Sequence, residues 1–281
     1  MLKPVSALSK FKPADESNVC AHTIHYHANL SPCNKFDRDC GYNIVTATLV
    51  MNMKKQLALV VLLLIVSSTT FAQQKGKWKP LFDGKTVNEL RGYKMETFPD
   101  AWKIEEGALV AQTNVPNVDL VTKDTYTNFD LKLEWAVSKA GNSGIFYNVQ
   151  ETSAHQSGNG NSPNWLDNFE FQLLDDIDFN DHEPRRSAGS LYDLIAPQNK
   201  QLKPVGEFNT AELLVNNGHV EQWINGVKVV EYEIGSKETN DLISKSKYRS
   251  NPNFAKSTSG HIMFQHHGQK VWLKNIRIKQ L

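Results

Sequence analysis

Beyond residue 52 the chain has no cysteine. All three of its cysteines, Cys20, Cys33 and Cys40, fall within residues 1–52. No disulfide can therefore staple the rest of the chain, which must be held by its own core. Three cysteines with histidines nearby raise the thought of zinc, but their spacing matches no finger pattern. Charge of one sign is lacking too. The 31 Lys and Arg stand against 30 Asp and Glu, for a formal net charge of +1, which argues against a partner as acidic as nucleic acid. Long helical faces are missing: only residues 236–248 have room for one short helix. The one long apolar run, residues 57–66, falls short of the roughly 20 residues a membrane-spanning helix needs, so no stable membrane anchor is expected. A hydrophobic share of 40% and a charged share of 22% are ordinary for a soluble globular protein.

The apolar run has its own context. Lys54 and Lys55 precede it, and Thr70 and Ala72 follow at the spacing of a small-residue cleavage site. This pattern predicts a secretory signal peptide over residues 53–72, cleaved near Ala72, with a periplasmic or secreted product. Residues 1–52 then read as a disordered extension upstream of the true start, Met53 or Met51. Residues 73–281 are expected to form one domain.

That domain reads as strand after strand. Phe129, Leu131, Leu133, Trp135 and Val137 alternate with Asp130, Lys132, Glu134 and Ala136, the period of a half-buried strand. Residues 144–150 and 169–174 are β-rich in the same way. Residues 211–215, 219–224 and 227–234 read as a meander, with Asn217-Gly218 and Asn225-Gly226 at its two tight turns. Residues 261–266 and 271–278 make a last pair. Two long polar loops, 151–168 and 176–187, interrupt the pattern, and loops of that size are usually functional or mobile. Many short strands without disulfides predict an all-β sandwich or barrel.

Seven segments in order carry a resemblance: LFDGKT (81–86), NSGIFYNV (142–149), FEFQLLDD (169–176), AGSLYDLIAP (188–197), KPVGEFN (203–209), VEQWINGVKV (220–229) and the C-terminal stretch 260–281. Together they resemble the secreted bacterial 3-keto-disaccharide hydrolase family, related to family 16 glycoside hydrolases. The resemblance covers residues 78–281. It implies a concanavalin-like jelly roll of two antiparallel sheets with few short helices, and a carbohydrate substrate. It also implies an enzyme that cleaves glycosides carrying a ketone at carbon 3. A C3 ketone acidifies the C2 hydrogen, so a base can remove it and the C1 substituent can leave. Water then adds, for net hydrolysis. Such a site needs a base, a donor for the enolate oxygen and an acid for the leaving group.

Glu170, Gln172 and Asp175 are the first candidates for it. Glu170 and Gln172 share a strand face; Asp175 joins them only if a bulge at Leu173-Leu174 turns it back. The related family 16 strand reads Glu-x-Asp-x-x-Glu. Here Gln172 replaces the central Asp, which weakens the case for the two-carboxylate retaining mechanism. His267 followed by Gly268 matches the family pattern and offers a proton carrier, while His266 points the other way. Gln265, Asn142, Tyr192, Lys203 and Asn209 fall on motif positions as candidate substrate contacts, with Tyr192 or Lys203 as enolate donor. Ser143 shares such a position, where Asn142-Ser143-Gly144 reads equally as turn chemistry. Trp165, in a polar loop, offers a stacking surface for a sugar. Asn148 and Phe208 stand where the family often has arginine and tryptophan. No metal site is assigned: His155 and His182 have no spacing that resembles one, and a divalent metal is left open. Two rival readings are a non-catalytic carbohydrate-binding domain on the same scaffold and a calcium-stabilised structural module.

Overall fold

In a computed structural model of the chain, residues 76–151 and 167–281 are described. The leader segment, the upstream stretch, His155 and Trp165 lie outside them. These residues hold thirteen strands: β1 (Trp78–Phe82), β2 (Leu90–Gly92), β3 (Trp102–Glu105), β4 (Ala108–Ala111), β5 (Leu120–Thr122), β6 (Phe129–Val137), β7 (Asn142–Val149), β8 (Glu170–Leu174), β9 (Asn209–Asn216), β10 (His219–Ile224), β11 (Val227–Glu233), β12 (His261–Phe264) and β13 (Val271–Gln280). They form two antiparallel sheets, a jelly-roll sandwich. The larger has the order β11-β10-β9-β6-β13-β4-β3, with β1 also paired to β13; the smaller runs β2-β5-β12-β7-β8. Among the described residues no helix is long and apolar enough to cross a membrane.

The core lies between the sheets. From the larger sheet β6 contributes Phe129, Leu131, Leu133 and Trp135, and β9 contributes Ala211, Leu213 and Val215. The smaller sheet answers with Ile145, Tyr147, Phe171, Leu173 and Phe264. Each of these sets is spaced by two, as the alternation predicts. The β9-β10 and β10-β11 turns have Asn217 and Gly218 at φ 52° and 90°, and Asn225 and Gly226 at 49° and 80°. Positive φ at both central residues is what a tight hairpin turn matched to strand twist requires.

Among the described residues one α-helix, α1 (Lys237–Lys245), is present and sits inside the expected window. The Ser236 hydroxyl accepts from the Thr239 amide at 3.1 Å and caps it. A short 3-10 helix, Lys247–Ser250, follows at once. The bulge expected at Leu173-Leu174 is absent. The β7-β8 register runs unbroken from Asn142↔Leu174 to Phe146↔Glu170, because both strands keep full ladder pairing over this span. A bulge occurs instead in β7, where the register with β12 shifts between His261 and Met263. Asn148 lies in that interval, at φ 58°, a conformation asparagine tolerates.

Candidate active site

The smaller sheet carries polar side chains on the face turned away from the core. Gly144 pairs with Gln172 across β7-β8, and the Gln265 amide, one residue past β12, donates to the Gly144 carbonyl at 3.0 Å. Gln265, Gly144 and Gln172 thus form one row, and Met263, Phe146 and Glu170 the next. Asn142 lies two residues before Gly144 on the same face. Met263 and Phe146 join Tyr93, Val121 and Val149 in a small apolar cluster on this outer side. The row beside that cluster is therefore shielded from water: Glu170, Gln172, Gln265 and Asn142 are all buried.

Glu170 is the centre of this face. Its side chain lies across Gly144, where a β-carbon would overlap Oε1 and come within 2.9 Å of the carboxyl carbon. The glycine is there for space. Burial raises the Glu170 pKa from 4.5 to about 8; nearby Lys247 pulls it down and Asp119 pushes it up. The Gln172 side chain lies between Asn142 and Glu170; with its amide nitrogen turned to the carboxyl it donates to Glu170 Oε1 at 2.8 Å.

The segment after β8 closes the edge of the sheet. Gln172 donates its backbone N–H to the Ser190 carbonyl at 3.2 Å, Gly189 donates to the Gln172 carbonyl at 2.8 Å, and Tyr192 donates to the Glu170 carbonyl at 3.0 Å. This pairing holds Tyr192 beside Glu170. Burial, and then the Glu170 charge, push the Tyr192 hydroxyl up to about 12. Above the Tyr192 ring, at 4.2 Å from its centroid, stands Lys247 Nζ. Burial lowers the Lys247 pKa, opposed by Asp193 and Glu170. The Tyr248 hydroxyl lies 3.5 Å from the Tyr192 carbonyl. Arg186 bonds Asp193 at 2.7 Å and Asp181 at 3.0 Å, fixing the loop that delivers Tyr192.

Of the residues chosen from sequence, the fold gathers Glu170, Gln172, Asn142, Gln265 and Tyr192. Asp175 is elsewhere: its carboxylate accepts from the Ala140 amide at 2.8 Å and from Ile177 at 3.0 Å. With no bulge to turn it back, it caps the turn after β8. Lys203 and Asn209 are likewise occupied. Lys203 Nζ donates to the Phe208 carbonyl at 2.7 Å, and Asn209 Oδ1 accepts from the Lys203 amide at 2.9 Å. These three residues line a separate cavity of about 340 Å3 with Trp135 and Leu174. His267 is exposed and faces Gln269 Oε1 at 2.9 Å; β12 ends at Phe264, so strand alternation no longer orients it. His266 is buried and structural. Its Nε2 donates to the Gln112 carbonyl at 2.9 Å, its Nδ1 accepts from the Gly268 amide, and burial lowers its pKa. Ser143 is tied to the Gln265 carbonyl at 2.9 Å.

Lys247 and Asp119 escaped the sequence reading. Lys247 sits in a stretch of lysines and serines with no motif around it. Asp119 is buried and accepts from the His266 amide at 2.6 Å. Both reach the site through tertiary packing.

A jelly-roll sandwich with a desolvated acid, amides and a cation on one sheet face is the framework of a carbohydrate-active enzyme. Comparison with known sequences makes this specific. The chain belongs to the 3-keto-alpha-glucoside-1,2-lyase-like family, whose sequence model matches residues 77–279, and is an enzyme acting on glycosidic bonds. A 3-keto-disaccharide hydrolase of Bacteroides thetaiotaomicron is 37% identical over 229 residues, covering 72% of this chain and 77% of that protein. Among solved structures, a chain described as a glycosyl hydrolase from Parabacteroides distasonis aligns with a TM-score of 0.67 and 31% identity, covering 73% of this chain and 94% of its own. A second chain from that organism, described in the same way, gives a TM-score of 0.56 at 27% identity, over 73% and 100%.

Proposed function

We propose that this enzyme cleaves glycosides whose sugar ring carries a ketone at C3, with Glu170 as the base that removes the C2 proton. The observation that carries the reading is the buried Glu170 carboxyl on the sheet face, with a pKa near 8 and a glutamine, not a second carboxylate, two residues along its strand. A retaining glycosidase needs two carboxyl groups about 5 Å apart. A base with a pKa near the working pH suits proton abstraction beside a ketone.

In the proposed sequence, the Glu170 carboxylate takes the C2 proton and the C2–H electrons form an enolate. The C1–O bond then breaks, its electrons leave with the aglycone, and C1 and C2 become doubly bonded. Water adds at C1, its oxygen forming the new C1–O bond and its released proton going to the aglycone oxygen, while Glu170 returns its proton to C2. Lys247, the cation next to Glu170 and Tyr192, is suited to offset the negative charge that grows on the C3 oxygen. Asn142, Gln172 and Gln265 are suited to hold the ring hydroxyls.

The test is to incubate the protein with a 3-keto-glucoside and with its unoxidised parent, and to follow release of the aglycone. Turnover of the keto form alone is expected. Equal rates on both forms would overturn the elimination, and binding without turnover would favour a carbohydrate-binding domain. We also propose export, from the Lys54-Lys55 start, the apolar run and the small residues ending at Ala72. N-terminal sequencing of protein from the periplasm or medium should find a start near Gln73; an intact chain there would refute the cleavage.

A further inference from the structure

A second cluster of ligand-type side chains lies on the other sheet, on the solvent face of the β10-β11 hairpin. Backbone pairing sets His219 opposite Glu233 and Glu221 opposite Glu231. Residues two apart on a strand share a face, and directly paired residues have β-carbons about 5 Å apart. All four side chains therefore converge. His219 Nδ1 lies 2.6 Å from Glu233 Oε1, and its Nε2 lies 3.4 Å from Glu221 Oε1 and 3.3 Å from Glu231 Oε1. In a tetrahedral zinc site with bonds of about 2.0–2.1 Å, ligand atoms stand ~3.4 Å apart. Ligand atoms from His219, Glu221 and Glu231 all lie within 4.8 Å of one another.

We propose that His219, Glu221 and Glu231 form a binding site for a divalent transition metal of the zinc class. Glu233 acts as the orienting carboxylate: by accepting from Nδ1–H it leaves the Nε2 lone pair for the metal, the arrangement in which an outer carboxylate fixes a ligating histidine. Three carboxylates around one imidazole leave an excess of negative charge. Lys228 meets it, with Nζ 3.1 Å from Glu221 Oε1 and 2.6 Å from Glu231 Oε2. A metal ion takes over that role and displaces the ammonium to solvent. On the other flank, β9 sets Asn216 beside His219 and Leu214 beside Glu221, so no further charge competes. The Asn225-Gly226 turn holds the two strands in the register that the site needs. A bound ion cross-links β10 to β11, the edge strand of the sheet.

The test uses the full chain. Zinc chloride is titrated calorimetrically. In parallel, cobalt chloride is titrated while tryptophan fluorescence is followed, because the Trp223 indole donates to Glu221 Oε2 at 3.0 Å and reports locally. Saturable zinc binding and quenching are expected. His219→Gln and Glu231→Gln should each weaken both by about tenfold or more, Glu233→Gln should weaken them about 10- to 100-fold, and Lys228→Met should tighten them. These side chains are on the solvent face, so circular dichroism should show unchanged folds. Absence of saturable binding, or His219→Gln binding as tightly as wild type, would overturn the proposal.

Discussion

The outer faces of the two sheets are both polar, yet they behave in opposite ways. On the larger sheet, opposite charges pair across strands in contact with water: Lys132 with Glu212 at 2.9 Å, and Lys228 with Glu221 at 3.1 Å. On the smaller sheet, Glu170, Gln172, Asn142 and Gln265 are buried, and the carboxyl among them is driven toward its neutral form. Water decides the difference. Charges on a wet sheet settle into weak ion pairs, whereas the same residue type under a covering layer becomes a reactive acid or base. Part of that cover is clamped by Arg91, which grips Glu151 through two hydrogen bonds at 2.8 and 2.7 Å and so ties β2 to the chain leaving β7.

This contrast can be broken most severely at Glu170. Glu170→Gln should lower turnover of a 3-keto-glucoside by about 10²- to 10⁴-fold, measured as initial rate. The same variant sharpens the comparison through stability. The folded pKa of Glu170 is raised above its ordinary 4.5 toward about 8. Its stabilising contribution is therefore full below the ordinary value and is lost as pH rises through about 8. Glu170→Gln should consequently unfold at a higher temperature than wild type at pH 9, and the difference should shrink at pH 5. A difference that does not vary with pH would mean the carboxyl is not desolvated.

Gly144→Ala should act next most strongly. Its added methyl meets the Glu170 side chain, so overpacking of about 1–3 kcal/mol is expected, together with a fall in kcat larger than any change in KM. Thermal melts and steady-state kinetics check it. A smaller effect is expected from Lys247→Met. With the cation gone, the Glu170 pKa should rise further, so the rising limb of the pH–rate profile, near 8 in wild type, should move to higher pH; an unmoved limb would deny Lys247 its electrostatic role. The smallest effect belongs to the wet sheet. Glu212→Gln, which breaks the ion pair with Lys132, should cost about 1 kcal/mol or less and leave turnover unchanged. Chemical denaturation and the keto-glucoside assay measure both.

The meander was the most legible part of the chain. Asn217-Gly218 and Asn225-Gly226 mark its turns, and the apolar alternation between them marks its strands; both are local preferences that survive packing. The same alternation put Glu170 and Gln172 on one face, which the fold keeps. It could not reveal β1 to β5, whose strands are too short to show a period, nor the true position of the bulge. Asp175 was the error that followed. A bulge at Leu173-Leu174 agreed with the spacing of a related strand, but the unbroken β7-β8 ladder left Asp175 to cap a turn. The polar cluster His219–Glu221–Glu231 was hidden for a comparable reason: its members are separated by a turn, and only the hairpin register brings them opposite one another.

What this sequence determines by itself is an all-β sandwich or barrel and the face that Glu170 shares with Gln172, because strand period, hairpin turns and apolar content act over a few residues. Whether that face would be wet or dry was decided only by the tertiary structure. Tyr93, Val121, Met263, Tyr192 and Lys247 come to Glu170 from distant stretches of chain, and together they remove the water that would have kept it an ordinary carboxylate. Burial is a property of the assembled sandwich, and the proton affinity of Glu170 follows from burial.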